Sequence, residues 1–253
     1  MMTIRYTYQI NKYPWLVRIW NRNGAQYPQH NSGGYGFCGG TLVASKKVIT
    51  AAWCVDKRDR YGYFIERYKP YEIAIRIGDH DIRSDSDDQQ GLAAKFVNVK
   101  TIIQHQNWDG RGLGSPTRGF DIAILELEEE LDLKVYTPAC LESPIPNFPR
   151  PDPTDVRIPE WMANLNGETV WAYGWGKASE FAYHTKHPSE PYEVQFTAYN
   201  KEVCQQKYGE KRIGYGVMCA APFNFNLNRG VCPVSISIAW NIKFFTDNFS
   251  LVG

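Results

Sequence analysis

Hydrophobic and polar positions alternate with a period of two along much of the chain, in short runs rich in β-branched and aromatic residues. Successive side chains of a β-strand point to opposite faces, so this period indicates strands that are buried on one side. Gly, Pro, Asn and Asp, which favour turns, separate the runs. The predicted strands are Trp15–Trp20, Thr41–Val43, Val48–Thr50, Ile73–Ile77, Phe96–Val99, Ile122–Leu125, Thr169–Tyr173 and Val194–Thr197.

Helical periodicity is rare in this sequence. The best short candidate is the segment Asn200–Tyr208. Many short strands with turn residues between them are typical of β-sandwiches and β-barrels. The pattern therefore predicts an all-β fold.

Proline is dense between Pro138 and Pro159. Because proline lacks a backbone N–H and fixes φ, this stretch cannot form a central strand. The sequence therefore predicts a proline-rich linker over residues 136–164, with β units at 1–135 and 165–253 on either side.

Composition and charge exclude some classes of partner. The 253 residues carry 28 Lys and Arg against 27 Asp and Glu, a formal net charge of +1. This balance gives no reason to expect binding to nucleic acid or to an anionic membrane surface. No apolar run reaches the length of a membrane span.

The six cysteines are spread through the chain and have no zinc-site spacing. Such a distribution favours disulfides in an oxidising compartment, with free buried thiols as the alternative. The first eight residues lack the apolar core of a signal peptide. Two explanations stay open: the chain is a fragment of a longer precursor, or its start was wrongly chosen. The cysteines are Cys38, Cys54, Cys140, Cys204, Cys219 and Cys232.

Six short sequence blocks stand out along the chain. The blocks are Tyr13–Trp15 (first strand), Phe37–Leu42 (CGG-T/S-L), Val48–Val55 (TAAHC), Phe120–Leu125 (DIALL), Tyr173–Gly176 (GWG) and Val217–Ala220 (M-x-C-A). In order and spacing, from about Tyr13 to Cys232, they resemble the blocks of the trypsin-like (chymotrypsin-fold, S1) serine proteases. Six matches in order make a chance resemblance improbable.

The resemblance implies two antiparallel β-barrels, one from residues 1–135 and one from 165–253, with a cleft between them. Only 21 residues follow Cys232, so the second barrel is expected to be incomplete at its C-terminus. The resemblance also implies disulfides Cys38–Cys54 and Cys204–Cys219. The family partners of Cys140 and Cys232 are missing, which makes these two residues candidates for an inter-chain disulfide.

The catalytic residues implied by the resemblance survive only in part. The aspartate is present as Asp121, but Trp53 stands where the family has its histidine, and an indole nitrogen only donates hydrogen bonds. Ile236 stands at the serine position, without the glycines that shape the nucleophile turn and its oxyanion hole. A substitute base, with His105 as one candidate, is disfavoured because no histidine follows the TAA block. We therefore expect no peptidase activity from this chain.

Three further features carry weaker expectations. Gly230 lies where trypsin-like members with a Lys/Arg preference have a pocket aspartate. Asp79 opens an acidic loop that resembles a calcium site of some members, although Gln89 replaces a carboxylate there and a solvated loop is the alternative. Residues 56–71 predict a long basic, tyrosine-rich loop, interpreted as a solvated insertion or as a partner surface.

Three functional hypotheses follow from these observations. The first is an extracellular, non-catalytic homologue that binds a peptide or protein partner and needs no cofactor, calcium aside. The second is a truncated or alternatively spliced product of a gene for a secreted serine endopeptidase. The third, disfavoured, is an active hydrolase with rearranged catalytic groups.

Overall fold

The computed structural model of the protein describes part of the chain. The described residues are 6–7, 10, 12–22, 37–59, 61, 63–82, 94–110, 120–141, 166–175, 189–208, 217–221 and 250–251.

Six strands from the first half of the chain form a barrel. They are β2 (Leu16–Asn21), β3 (Cys38–Ala44), β4 (Lys47–Thr50), β7 (Ile73–Ile77), β8 (Lys95–Gln104) and β9 (Ala123–Leu127). The strands are antiparallel, and the barrel closes in the order β2-β3-β4-β9-β8-β7. Apolar side chains at alternate positions fill its interior, including Val17, Leu42 and Leu125, none of which is exposed to solvent. This confirms the β-barrel expected for the first half.

Two further strands extend from the barrel as a separate hairpin, β5 (Asp56–Arg58) and β6 (Phe64–Arg67), followed by a 3₁₀ turn at Pro70–Glu72. We predicted this stretch as a loop. All four β6 residues are exposed, so the stretch lacks the alternating pattern from which the other strands were predicted. The hairpin is held instead by polar contacts: Lys57 donates hydrogen bonds to Glu66 at 2.7 Å and to Glu72 at 2.6 Å.

A five-stranded sheet combines strands of the second half with one short strand from the N-terminus. The strands are β1 (Tyr6–Thr7), β10 (Thr169–Gly174), β11 (Tyr192–Tyr199), β12 (Val217–Ala221) and β13 (Ser250–Leu251). Strands β1, β10 and β12 pair antiparallel with the central strand β11, whereas β13 pairs parallel with β12. Helix α1 (Lys201–Tyr208) confirms the predicted helix at 200–208.

Aromatic side chains join the two halves. The Tyr13 ring stacks on the Tyr173 ring with centroids 3.9 Å apart, and the indole N–H of Trp15 donates to the Tyr173 hydroxyl at 2.7 Å. Lys12 pairs with the buried carboxylate of Glu193 at 2.7 Å. The segment before β2 therefore ties the barrel to β10 and β11. Most of the predicted linker 136–164 lies outside the described residues, and the domain boundaries stay predictions.

Gly40 sets the spacing between β3 and β4. A Cβ atom at this position would lie 2.7 Å from Val48 Cγ1 and 2.9 Å from the Ile49 carbonyl oxygen. Both distances are shorter than van der Waals contact, so any side chain would push the two strands apart.

We predict that Gly40→Ala lowers the free energy of unfolding by about 2 kcal/mol, because overpacked cores lose roughly 1–3 kcal/mol. Chemical denaturation followed by circular dichroism measures the change. Gly40 has no φ in the left-handed region, so the expected loss is steric. For comparison, Gly167→Ala, at φ 86° with no atom within 4 Å of the new Cβ, shows the cost of a strained backbone without overpacking. A Gly40→Ala variant as stable as the unmodified chain would contradict the packing argument.

Candidate functional site

Trp53 lies on a 3₁₀ turn, Ala52–Val55, directly after β4. The neighbouring Cys54 forms a disulfide with Cys38 on β3, with Cα atoms 5.8 Å apart, as the resemblance implied. Thr50 at the end of β4 also donates to the Gly39 carbonyl at 2.6 Å. These links fix the position of Trp53 relative to the barrel.

Asp121 is held by an unusual turn before β9. Phe120 has φ 61°, a left-handed conformation that costs free energy for a side chain of this size. The N–H of Ile122 donates to the Phe120 carbonyl at 2.7 Å, which closes a tight turn around Asp121. Backbone strain of this kind persists only where the surrounding packing enforces it. It sets where the Asp121 carboxylate lies.

The Asp121 carboxylate meets the backbone at Trp53. Its Oδ1 atom accepts the N–H of Trp53 at 2.7 Å, and the N–H of Ala52 also contributes a hydrogen bond. Ala51, at the start of the 3₁₀ turn, supplies no capping side chain. Asp121 therefore serves as a cap provided from elsewhere in the chain.

Burial raises the pKa of Asp121 to about 6, and the negative charge of Asp56 adds to this effect. The N–H groups of Trp53 and Ala52 and the positive charge of Arg58 act in the opposite direction. Since burial outweighs these donors, ionising Asp121 in the folded chain costs free energy.

A second acid, Asp56 on β5, lies in the same region and was missed from the sequence. Its Oδ1 accepts from Gln104 Nε2 at 2.7 Å, and its Oδ2 accepts from Trp108 Nε1 at 2.9 Å and from Arg58 Nη2 at 3.0 Å. Three donors thus surround a fully buried carboxylate. The spacing of Asp56 and Arg58, two apart on one strand face, was the signal that could have indicated the pair.

Arg58 packs on Trp53. Its guanidinium carbon lies 3.3 Å from the centroid of the Trp53 ring, within the range of a cation–π contact. Its Nη2 atom also donates to the Gly110 carbonyl at 2.9 Å, and only 9% of the side chain is exposed. One face of the Trp53 ring is therefore covered by the hairpin.

His105, at the end of β8, was the substitute base considered from the sequence. Its ring stacks on Phe120 with centroids 4.7 Å apart, and its Nδ1 atom accepts the N–H of Asn107 at 3.1 Å. One ring nitrogen is thus engaged by the backbone of its own turn.

The other predicted site residues fall into two groups. Ile236, Gly230 and Cys232 lie outside the described residues. Asp79 is buried and pairs with Arg76 at 2.9 Å. Among the described residues, no cluster of three or more His, Cys, Asp or Glu side chains could hold a metal ion.

The remaining cysteines of the described part of the chain include one in a disulfide and one free thiol. Cys204 is disulfide-bonded, while the side chain of its expected partner Cys219 lies outside the described residues. Cys140 is a free, exposed thiol. The part of the chain that the structure describes holds no helix capable of spanning a membrane.

Large apolar side chains are exposed on the hairpin next to Trp53. Tyr61 is 69% and Tyr63 72% exposed, and Trp53 itself is 39% exposed. Asp59 accepts the N–H groups of both tyrosines, which orders the tip of the hairpin. Phe64, Ile65 and Tyr71 are exposed as well. The exposed residues Trp53, Tyr61, Tyr63, Phe64, Ile65 and Tyr71 are together called the aromatic face below, a name for the set and not for one side of the hairpin, because successive strand residues point to opposite sides.

Comparisons with known proteins agree on one family. A family model described as Trypsin matches residues 5–232. The chain is 25% identical over 248 residues to a venom serine protease from Polistes dominula, covering 97% of this chain and 72% of that protein. It is 32% identical over 110 residues to chymotrypsin-like elastase family member 1 from Macaca fascicularis, covering 43% of this chain and only 34% of the relative.

A solved structure shares the fold. Neuropsin, a serine protease expressed in the limbic system of mouse brain, superposes with a TM-score of 0.57 at 19% identity. The match covers 87% of this chain and 74% of that one. At this identity the likeness shows the fold alone.

The raised pKa of Asp121 predicts how stability depends on pH. The stabilising effect of protonated Asp121 is fully present below about pH 4 and is lost as pH rises through about 6. Asp121→Asn keeps an oxygen acceptor for the N–H of Trp53 but cannot ionise. We predict that it is more stable than the unmodified chain at pH 8, by about 1–3 kcal/mol, and nearly equal at pH 4.

Urea denaturation between pH 4 and 8 measures this difference. The matched control is Asp132→Asn, which removes an exposed carboxylate that also accepts a backbone N–H. The control should keep the loss of stability between pH 4 and 8. If Asp121→Asn were less stable than the unmodified chain at pH 8, the ionised carboxylate would be stabilising and our interpretation of the site would be wrong.

Proposed function

The chain belongs to the trypsin family, and from that premise we propose that it is a non-catalytic member that binds a peptide or protein partner. The proposal concerns the chain as it stands, with Trp53 at the position of the family's general base. It also includes an extracellular location, which is supported by the Cys38–Cys54 disulfide and by the venom protease among its relatives.

The contacts of Trp53 carry the proposal. The family mechanism needs a group next to the aspartate that accepts a proton from the serine and returns it to the leaving group. An indole N–H has no lone pair for this step. Asp121 contacts the backbone N–H of Trp53, so it caps a turn where a family aspartate would orient an imidazole. Loss of triad members costs about 10⁴–10⁶ in kcat.

The aromatic face supports a binding role. Tyrosine, tryptophan and arginine are enriched among the residues that dominate interface energies. Here exposed tyrosines lie on a hairpin whose base packs on Trp53 through Arg58. The hairpin thus presents apolar area next to the position of the lost base.

Several finer expectations stay predictions. These are calcium binding at Asp79, an inter-chain disulfide through Cys140 or Cys232, and the origin of the chain as a spliced product of an endopeptidase gene. The spliced-product hypothesis has the same consequence for catalysis, because Trp53 is common to both.

We predict that the folded chain does not react with a fluorophosphonate probe, which labels activated serines, under conditions in which an active trypsin-type protease is labelled to completion. Trp53→His should remain unlabelled as well, since Ile236 stands at the serine position. Mass spectrometry of the intact chain measures labelling. Stoichiometric modification of the unmodified chain, with hydrolysis of peptide substrates, would overturn the proposed loss of catalysis.

We predict that peptides selected from a displayed library against the folded chain bind through the aromatic face. Tyr61→Ser/Tyr63→Ser should weaken binding at least about tenfold, because each interface anchor typically contributes more than about 1 kcal/mol. The control Leu133→Ser/Val135→Ser removes two exposed apolar side chains outside the hairpin and should leave affinity unchanged. Calorimetry measures the Kd values. Equal affinity for the hairpin variant, or no enriched peptide, would contradict the binding role.

A further inference from the structure

We propose that Arg58 is the positioning residue that holds the β5–β6 hairpin over Trp53, and that its charge, paired directly with Asp56, also stabilises the ionised carboxylate of Asp121. The chain would thereby supply its own cation at the place where catalysis in this family uses an imidazole. The inference rests on the proposed loss of catalysis and adds a named residue with a structural role.

Two acids lie near Arg58. Asp56 is fully buried, and Asp121 is partly buried, with the N–H of Trp53 on one of its oxygens. The negative charge of Asp56 raises the cost of ionising Asp121, because like charges in a medium of low polarity repel strongly. A cation that interacts with both acids relieves this cost.

Arg58 is placed to act on both acids. It makes a salt bridge to Asp56 at 3.0 Å, and its charge also interacts favourably with Asp121. Its guanidinium lies over the Trp53 ring at 3.3 Å, and the backbone N–H of that same residue is bound to Asp121. Burial lowers the pKa of Arg58, but an arginine stays protonated at any ordinary pH.

The shape of the guanidinium explains why arginine suits this position. A planar group can stack on an indole with its flat face while its edge donates hydrogen bonds in the same plane. Here the edge donates to Asp56 Oδ2 and to the Gly110 carbonyl. A lysine ammonium would keep the charge but could not form the stack and both edge contacts together.

These contacts also anchor the hairpin. Asp56 and Arg58 are the two ends of β5. The side chains of Gln104 and Trp108 donate hydrogen bonds to Asp56, and Arg58 donates to the carbonyl of Gly110. Phe64 of β6 lies beside Gly110, where φ 72° favours glycine and where an added Cβ atom would be 3.6 Å from the Phe64 ring, an ordinary contact. The aromatic face is therefore held by polar contacts at its base.

A double-mutant cycle tests the counter-ion role. Unfolding constants of the unmodified chain, Arg58→Gln, Asp121→Asn and the double variant are measured by urea denaturation at pH 4 and pH 8. At pH 8, Arg58→Gln should raise the unfolding constant about tenfold more in the unmodified background than in the Asp121→Asn background. At pH 4, where Asp121 is protonated, the two increases should be equal.

Among the described residues, the other charged and titratable groups near Asp121 are Asp56 on β5 and His105, which stacks on Phe120. Both are present in all four proteins, so effects of theirs that do not depend on Arg58 or Asp121 cancel in the cycle. Equal coupling at both pH values, or no coupling at pH 8, would overturn the counter-ion role. A purely structural arginine would give the same increase in both backgrounds.

Amide hydrogen exchange tests the anchoring role. The N–H groups of Asp59 and Tyr68, which close the hairpin at 3.0 and 2.9 Å, should exchange at least tenfold faster in Arg58→Gln than in the unmodified chain. Asp121→Asn should leave their exchange unchanged. Unchanged exchange in Arg58→Gln would overturn the anchoring role.

A second variant covers the case in which Arg58→Gln does not fold. Arg58→Lys retains the charge and should keep the pH-dependent coupling while losing protection in the hairpin. Absence of coupling in a folded Arg58→Lys variant would overturn the proposal. Fluorophosphonate labelling is independent of all these results, so the proposed loss of catalysis can fail without affecting the test of Arg58.

Discussion

The buried carboxylate of Asp121 is the constraint on which the rest of the site depends. A carboxylate taken out of water must find donors, and Asp121 finds them in the backbone N–H groups at the start of the Ala52–Val55 turn. These bonds fix the turn that carries Trp53 and Cys54. The strained turn at Phe120 sets the position of the Asp121 carboxylate opposite these backbone N–H groups. The site is thus held in place by contacts with the barrel: the Asp121 carboxylate before β9 and the disulfide from Cys54 to Cys38 on β3.

Under the proposed function, the site is a structural junction that keeps the aspartate of a catalytic triad, with Trp53 at the histidine position and Ile236 at the serine position. Enzyme sites often retain groups that lower stability because the chemistry needs them. Under the proposed function, Asp121 carries the cost of its burial without catalytic use. The hairpin residues Asp56 and Arg58 then balance charge around it, and Trp53 provides the flat surface on which Arg58 lies. On this proposal, the tryptophan at the histidine position supplies the ring against which the β5–β6 hairpin packs through Arg58.

Much of the barrel could be predicted from the sequence because apolar residues alternate along its strands, as in Ala123–Leu127, where every second residue is buried. The observed strand Ile73–Ile77 matches the predicted range. Helix α1 was also predicted correctly. The hairpin was not, because the exposed strand β6 has no alternating pattern to detect. The contacts of Asp56 with Gln104 and Trp108 join residues about 50 positions apart, and no local pattern encodes them. The left-handed conformation of Phe120 likewise depends on packing around it, since no glycine or asparagine marks it.

The most direct test of this account is the pH titration of the Asp121 carboxyl carbon by ¹³C NMR, with Asp121→Asn used to assign the resonance. The account predicts a midpoint near pH 6, because burial opposes ionisation more than the surrounding donors favour it. A midpoint below about pH 4, the range of an ordinary solvated aspartate, would contradict it. The carboxylate would then be hydrated or paired far more strongly than these contacts imply.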